Sequence, residues 1–221
     1  MSEPTELPPA RPAATVIVAR EVAVGFEVLL LKRSDVGAFA GMWVFPGGRV
    51  DDADAGQDDL SRAASAAVRE ALEEVNLVVD PAQLVTLSHW TPPAIVPKRF
   101  TTWFFVVPWS GGDVQIDDHE IVESRWMTPA EAVDGRLPMA PPTMVSLLTL
   151  HDAGSFDGLR ELVAARGVER FVTVPTKVDQ AMVLLWEGDA GYDTADPHAA
   201  GARHRVTIPV DSPMRYERSP G

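Results

Sequence analysis

The sequence contains no cysteine in its 221 residues. This absence excludes disulfide bonds, thiol catalysis and zinc sites built from cysteine, and it agrees with a reducing cytoplasm, where we expect the protein to act. Long apolar runs are also missing, because no window reaches the roughly eighteen apolar residues that a transmembrane helix needs. Lysine is scarce, with only Lys32, Lys98 and Lys177, so most basic side chains are arginines.

Positive charge is in short supply overall. The chain has 32 acidic and 19 basic residues, which gives a net charge of −13 at pH 7. Such a charge disfavours nucleic acid and anionic membranes, and we expect neither as a partner. A small anionic substrate would need local cations, supplied by a metal ion or by a few arginine and lysine side chains. The apolar content of 46% is enough for one domain with a substantial core and an appendage.

The most informative stretch runs from Phe45 to Leu77, beginning FPGG and ending REALEEVNL. Its second part predicts a helix from about Asp59 to Val75. Asp58 or Asp59 can cap the start of this helix, and Asn76 suits the left-handed residue that ends it. Helical spacing would bring Glu70, Glu73 and Glu74 onto one face. The opposite face is predicted to form a buried apolar stripe of Ala64, Val68, Ala71, Leu72 and Val75.

The acidic face of this helix favours a metal site. Like charges one turn apart destabilise a helix by roughly 0.2–0.5 kcal/mol per pair, and no lysine lies in this stretch to compensate. A divalent cation would turn the repulsion into coordination, and carboxylate oxygens favour Mg²⁺ or Mn²⁺ over zinc. A solvated acidic face is the alternative. The glycines of FPGG favour the metal, because a bare backbone carbonyl can approach the same ion.

FPGG followed by Arg69, Glu70, two residues, Glu73 and Glu74 resembles the signature of the Nudix hydrolases. These are Mg²⁺-dependent enzymes that cleave a nucleoside diphosphate linked to another group. The resemblance implies an α/β (α+β) fold, with a mixed β-sheet sandwiched between α-helices. It also implies that Glu70, Glu73, Glu74 and the carbonyl of Gly47 hold Mg²⁺ or Mn²⁺. Arg69 would orient these carboxylates through a salt bridge.

The chain departs from the signature in the spacing between its two halves. Twenty residues separate Gly48 from Arg69, seven more than the signature has. The first glutamate of the signature therefore falls on Asp54 when counted forward from Gly48, and on Ser61 when counted backward from Arg69. Both assignments stay open at this point. Asn76 replaces the last glycine, a mild change because asparagine tolerates the left-handed conformation.

Two segments, KRSDVGAFAGMWVFPGGRVDDAD and HWTPPAIVPKRFTTWFFV, resemble the peroxisomal coenzyme A diphosphatase branch of the family. This resemblance implies hydrolysis of coenzyme A or acyl-coenzyme A to 3′,5′-ADP and 4′-(acyl)phosphopantetheine. A diphosphatase for ADP-ribose, NADH or a nucleotide sugar is the alternative. A third hypothesis is a non-catalytic Nudix domain that binds a nucleotide.

Four residues are candidates for substrate binding. Arg33, Lys98 and Arg99 could contact phosphate, and Trp90 could stack on adenine. The alternatives are a solvated Arg33 that ends a strand and a Trp90 that packs in the core or at an edge. Nudix enzymes commonly take one more carboxylate from a later loop, which we assign to Glu120, with Glu123 as second choice. The general base would then be Glu70 or Glu120.

Three segments divide the chain. Residues 1–12 are predicted to be a flexible tail, residues 13–151 the Nudix domain, and residues 152–221 an extension of helices and strands packed on the core or forming a homodimer contact. His198 and His204 lack metal-like spacing and are expected at the surface. Strands are predicted at 13–19, 26–31, 43–45, 84–88, 101–107, 171–174, 182–186 and 205–210, and helices after the Thr128 cap and at 141–152 and 155–166.

Overall fold

The computed structural model describes residues 9–37, 39–96, 99–116 and 119–219. Lys98, one of the predicted phosphate contacts, lies outside these residues. The strands are β1 (Arg11–Glu21), β2 (Phe26–Arg33), β3 (Trp43–Val44), β4 (Gly47–Arg49), β5 (Val85–Thr91), β6 (Phe100–Pro108), β7 (Ile121–Met127), β8 (Glu169–Val172), β9 (Val174–Val178), β10 (Ala181–Leu185), β11 (Arg203–Ile208) and β12 (Arg215–Ser219). The helices are α1 (Asp59–Val75), α2 (Pro129–Asp134), α3 (Pro141–Ala153) and α4 (Phe156–Arg166), and a 3-10 turn spans Pro81–Gln83. Within the described ranges, no helix combines the length and apolar character needed to cross a membrane.

The chain forms two compact units. The larger unit contains Pro12–Ser88 and Thr102–Glu169. The smaller unit contains His89–Thr101 and Arg170–Gly221, together with the described part of Met1–Arg11. Helix α4 belongs to the larger unit, whereas the predicted extension at 152–221 included it. The predicted division at residues 151 and 152 stays a prediction.

A mixed sheet organises the larger unit. Its strands follow the order β3-β2-β1-β6-β5, with β4 paired to β1 and β7 paired to β2. The pairs of β2 with β1, β3 and β7 are antiparallel, and a parallel bridge joins Trp43 to Met139. Neighbouring residues of β2 point to opposite faces, and both Leu29 and Leu30 are fully buried. Both faces of the sheet are therefore covered, as the predicted mixed sheet between helices requires.

Helix α1 covers one of these faces with most of the predicted stripe, since Ala71 and Val75 are buried and Ala64 and Val68 pack against the same cluster. Its buried residues are Ala63, Ala66, Ala67, Ala71 and Val75. They pack in a cluster with Val16 and Val18 of β1 and Leu31 of β2. The prediction that Leu72 belongs to the buried stripe is wrong, since Leu72 is 49% exposed. Helical spacing places Glu74 close to the direction of Ala67, so acidic residues extend the buried face instead of opposing it.

The smaller unit contains a four-stranded antiparallel sheet in the order β12-β11-β10-β9. Its aromatic side chains form a second core. Trp90 stacks on Phe171 with ring centroids 3.8 Å apart, and Trp186 meets both rings edge-on. The expectation that His204 is a surface residue is wrong, because His204 is buried with its Nδ1 atom 2.6 Å from the Glu187 carbonyl oxygen.

A buried ion pair ties the loop between β10 and β11 to β11. Arg205 donates to both carboxylate oxygens of Asp189, at 2.7 and 2.5 Å, and the backbone N–H groups of Gly191 and His204 donate to the same carboxylate. The Asp189 side chain has no exposed surface, and that of Arg205 is 7% exposed. Burial alone would raise the pKa of Asp189, but these four donated hydrogen bonds and the Arg205 charge lower it to about 2.

Candidate active site

The last turns of α1 meet the glycine turn at β4. The capping box of Asp58 with Ser61 starts the helix, and Asn76 ends it at a φ of 57°, so both predicted ends are confirmed. The backbone N–H of Gly47 donates to Glu74 Oε2 at 2.9 Å. A Cβ atom on Gly48 would lie 2.2 Å from Glu70 Oε1. The absence of a side chain at Gly48 therefore lets the backbone approach the Glu70 carboxylate.

Burial perturbs both of these carboxylates. It raises the pKa of Glu74 to about 7, a shift that the Gly47 N–H opposes and the Glu70 charge reinforces. Burial also raises the pKa of Glu70, against the hydrogen bond and charge of Arg69. Glu73, in contrast, is 57% exposed at its side chain. The three glutamates of the predicted metal site are thus not equivalent.

Arg69 connects the helix to the loop that precedes it. Its Nε and Nη2 atoms donate to the two Asp54 oxygens at 3.0 and 3.1 Å. Its Nη1 atom donates to Glu70 and Glu73, both at 2.8 Å, and Nη2 also donates to the Arg49 carbonyl oxygen at 2.9 Å. These contacts agree with the predicted role of Arg69 in orienting carboxylates.

The position of Asp54 decides between the two ways of counting the signature. Asp54 is 5% exposed at its side chain and accepts from Arg69 and from the Asp51 N–H. The hydrogen bond with Arg69 lowers its pKa. Ser61 instead takes part in the cap of α1. The carboxylate next to the signature arginine is therefore the one reached by counting forward from Gly48, and the extra residues lie after it.

Arg33 and Glu120, predicted separately, form an ion pair. Arg33 Nη2 lies 2.9 Å from Glu120 Oε2, and the Ser34 N–H donates to the Glu120 carbonyl oxygen at 2.8 Å. Their charges shift the pKa of Glu74 in opposite directions, Arg33 downward and Glu120 upward. The sequence contains no signal for this pair, because the two residues are 87 positions apart. Glu123, the second choice, pairs with Arg125.

The remaining substrate candidates belong to the smaller unit. Trp90 is 5% exposed and stacked on Phe171, which favours the core-packing alternative. The Arg99 carbonyl oxygen accepts from the Arg11 N–H at 2.9 Å, and the Nε atom of Arg99 is buried without a hydrogen-bond partner in the described structure. Substrate binding by Arg99 stays a prediction.

The donor atoms fit a hard divalent cation, although they are not assembled around one. Across residues 9–37, 39–96, 99–116 and 119–219, no three His, Asp or Glu side chains converge as a metal-binding group. Glu70 and Glu73 turn towards Arg69, and Glu74 turns towards the Gly47 N–H. Half-buried carboxylate oxygens are nevertheless the ligands that Mg²⁺ and Mn²⁺ prefer. A cation would also compensate the charge that burial penalises at Glu70 and Glu74.

Comparison with known proteins agrees with this geometry. A sequence profile of the NUDIX domain matches residues 9–148. The chain belongs to the Nudix family. Nudix hydrolases are generally diphosphatases and typically use a divalent metal ion. The match covers the glycine turn, the loop containing Asp54, and α1 with its three glutamates.

Two curated Nudix relatives are similar over part of their length. "Putative nudix hydrolase 7" from Caenorhabditis elegans is 29% identical over 188 residues, which cover 66% of this chain and 62% of the relative. "Acyl-coenzyme A diphosphatase NUDT19" from Xenopus laevis is 27% identical over 131 residues, covering 54% of this chain and 34% of the relative. The matched regions therefore span less than two thirds of either relative.

Solved Nudix structures confirm the predicted fold class. A Nudix hydrolase from Alicyclobacillus acidocaldarius superposes with a TM-score of 0.60 at 22% identity, covering 69% of this chain and 96% of that one. The Nudix domain of Shewanella oneidensis NrtR, solved with ADP ribose, gives a TM-score of 0.52 at 16% identity, covering 73% and 94% of the two chains. At these identities the likeness concerns the fold alone.

Proposed function

We propose that this protein hydrolyses the diphosphate linkage of a nucleoside diphosphate conjugate in the presence of Mg²⁺ or Mn²⁺. The observation that supports this most directly is the pair of half-buried carboxylates, Glu70 and Glu74, held against the Gly47–Gly48 turn. Burying two neighbouring carboxylates costs stability unless a cation joins them. A helix with only a structural role would have no reason to keep glutamates on its buried face.

Each residue has a defined task in this proposal. Glu70, Glu73, Glu74 and the Gly47 carbonyl would hold the metal ion, which when bound would neutralise phosphate charge and lower the pKa of a coordinated water. Arg69 keeps Glu70 and Glu73 close together through its Nη1 atom. Asp54 fixes the other edge of the Arg69 guanidinium, so that it cannot follow a moving carboxylate.

The proton of the attacking water needs an acceptor near the same place. Glu120 and Glu70 are the two candidates. Glu120 is more exposed, at 67% of its side chain, and is ion-paired with Arg33. Glu70 would be occupied by the metal ion and by Arg69. We therefore assign the general base to Glu120, whose carboxylate retains an accessible edge.

Coenzyme A or acyl-coenzyme A is the substrate that we propose first. The support comes from the two segments that resemble the coenzyme A diphosphatase branch, and from the name of the Xenopus relative. ADP-ribose, NADH and nucleotide sugars share the same diphosphate chemistry and are the alternatives. A cytoplasmic location, which the cysteine-free composition suggests, is part of the proposal.

A substrate panel tests the proposal. Purified protein is incubated with coenzyme A, acetyl-coenzyme A, ADP-ribose, NADH and a nucleotide sugar, each with Mg²⁺, with Mn²⁺ or with a chelator. Chromatography should detect 3′,5′-ADP and 4′-phosphopantetheine from coenzyme A only when the metal is present. Cleavage of another conjugate would correct the substrate and keep the reaction. Binding without turnover of any conjugate would instead favour the nucleotide-binding domain without catalysis.

Metal binding can be measured independently of turnover. Mn²⁺ titration followed by electron paramagnetic resonance should give a bound fraction that Glu70→Gln and Glu74→Gln reduce, because each variant removes a charged ligand. Glu161→Gln on α4 is the matched control, since Glu161 is exposed on a different helix. Equal Mn²⁺ affinity in all four proteins would contradict the assigned ligands.

A further inference from the structure

We propose that Arg33 is a positioning residue that fixes the Glu120 carboxylate, and not a direct ligand of the substrate phosphate. The inference rests on the proposed function, since it gives Arg33 a task in that reaction. It differs from the expectation that the sequence supports, in which Arg33 contacts phosphate by itself.

Two contacts fix Glu120, one at its side chain and one at its backbone. Arg33 Nη2 binds Glu120 Oε2 at 2.9 Å. The next residue, Ser34, donates its backbone N–H to the Glu120 carbonyl oxygen at 2.8 Å. Two consecutive residues, Arg33 and Ser34, thus bind the same glutamate. They fix the positions of both its carboxylate and its backbone.

A β-bulge lies at this point of the sheet. Lys32 pairs with Glu123, but Arg33 pairs with Ile121, so β7 has one extra residue, Val122, opposite this step. A bulge bends its strand and changes the direction of the neighbouring side chains. The pairing therefore ends in a geometry that turns the residue before Ile121, Glu120, towards Arg33.

The burial of the two partners is unequal. The Arg33 side chain is 18% exposed, whereas that of Glu120 is 67% exposed. The Arg33 backbone is also fixed, because its N–H donates to the Met42 carbonyl oxygen at 3.0 Å. Arg33 is consequently the anchored partner and Glu120 the one that depends on it. An ion pair with so exposed a carboxylate adds little to stability, which leaves positioning as its effect.

Charge explains why Glu120 needs such a partner. Glu120 lies within electrostatic reach of Glu74, and two carboxylates repel each other. The Arg33 charge lowers the pKa of Glu74 and the Glu120 charge raises it. The guanidinium therefore offsets the repulsion that its partner causes. Without Arg33, the Glu120 side chain should lose its ion pair and turn further into solvent.

A double-mutant cycle tests whether Arg33 acts through Glu120. The cycle compares kcat and KM of Arg33→Gln, Glu120→Gln and the double variant on the cleaved substrate, with Arg33→Lys as the conservative replacement. We expect Arg33→Gln to lower kcat by about 10-fold or more with KM within about 3-fold, and to change kcat by about 2-fold or less when Glu120 is already glutamine. Arg33→Lys should recover part of kcat. Additive losses, or a KM effect that persists in the Glu120→Gln background, would show that Arg33 binds phosphate directly and would overturn the proposal.

Hydrogen exchange gives a readout that does not require turnover. The Ser34 amide should exchange faster in Arg33→Gln than in the wild type, because the segment it binds is released, and it should be unchanged in Arg160→Gln. Arg160 is a matched control, since it forms an exposed pair with Asp157 at 3.1 Å on α4. Unchanged Ser34 protection in Arg33→Gln would refute the positioning role. A wild type inactive on every conjugate would instead count against the proposed function, while the exchange result would still decide the role of Arg33.

Discussion

Two arginine–carboxylate clusters in the described structure differ in their balance of charge. In the smaller unit, Arg205 meets a single carboxylate, Asp189, whose remaining acceptor capacity is met by backbone N–H groups. In the larger unit, Arg69 meets four carboxylates, those of Asp51, Asp54, Glu70 and Glu73. Glu74 lies beside them without a salt bridge to any described residue. The first cluster is balanced in charge, and the second has an excess of negative charge.

The pKa values of the acids record the same difference. Asp189 has a pKa lowered to about 2, although its side chain is fully buried. Glu74 has a pKa raised to about 7, because burial outweighs the opposing effects of the Gly47 N–H and the Arg33 charge. A complete network stabilises its charges and needs nothing further. A network with uncompensated charge lowers stability. Proteins retain such a network where a bound ligand supplies the missing charge.

The largest expected effect is on the balanced cluster. Asp189→Ala should lower the free energy of unfolding by about 3–5 kcal/mol, because it leaves Arg205 buried without its partner. Urea denaturation followed by tryptophan fluorescence measures the loss. Asp157→Ala, at the exposed pair with Arg160, is the control and should cost less than about 1 kcal/mol. Equal losses at the two positions would mean that the Asp189 pair is not the stabilising element described.

At the unbalanced cluster the effect should move from stability to turnover. Glu74→Gln and Glu73→Gln should each lower kcat by about 100-fold or more, because each removes a charged metal ligand. Glu74→Gln should also leave the free energy of unfolding unchanged or higher, since it removes a carboxylate that burial penalises. Steady-state kinetics and urea denaturation on the same samples test both statements. Wild-type rates in both variants would refute the assigned ligands.

Substitutions at the two neighbouring glycines should distinguish an effect on stability from an effect on metal binding. A Cβ on Gly47 would lie 2.5 Å from the Ala14 carbonyl oxygen, and a Cβ on Gly48 would lie 2.2 Å from Glu70 Oε1. Gly47→Ala should therefore lower stability by about 1–3 kcal/mol. Gly48→Ala should displace the Glu70 side chain and mainly weaken Mn²⁺ binding. Thermal denaturation and Mn²⁺ titration of both variants check the contrast, and identical profiles would contradict it.

The smallest effects should appear in the pH dependence of stability. The Asp189 contribution, about 2 kcal/mol from its lowered pKa, should be present above its ordinary value of 3.8 and lost as the pH falls towards about 2. Glu74 binds its proton more tightly in the folded state. Its contribution should be full below 4.5 and lost as the pH rises to about 7.

Urea denaturation across this pH range tests the second statement most directly. Glu74→Gln should remove the decline between pH 4.5 and about 7, and the Glu161→Gln control should retain it. Mg²⁺ should restore stability at neutral pH in the wild type, because it binds only the ionised form. A decline that persists in Glu74→Gln would assign it to another group.

Local signals predicted the elements of the fold well. The bounds of α1 agree with the prediction at both ends because Asp58 and Asn76 act on the helix next to them. Thr128 likewise starts α2 through a capping box with Glu131. Strands without an apolar pattern were not predictable in this way. β12, with the sequence RYERS, owes its conformation to antiparallel pairing with β11.

In the candidate site, too, residues that are close in sequence were predictable and contacts between distant residues were not. Arg69, Glu70, Glu73 and Glu74 were predictable together because they lie within two turns of one helix. Asp54 was one of two possibilities until its contact with Arg69 was seen.

The sequence by itself determined the family, the ends of α1 and the cluster of acids in its last turns, since these depend on spacing along the chain. Only the tertiary structure decided how α1 is rotated against the sheet, and with it that Glu70 and Glu74 are half-buried while Glu73 is exposed. It also decided that Arg33 meets Glu120. Helical spacing sets the angles between side chains but not the direction of the sheet, and contacts between distant residues exist only after the chain has folded.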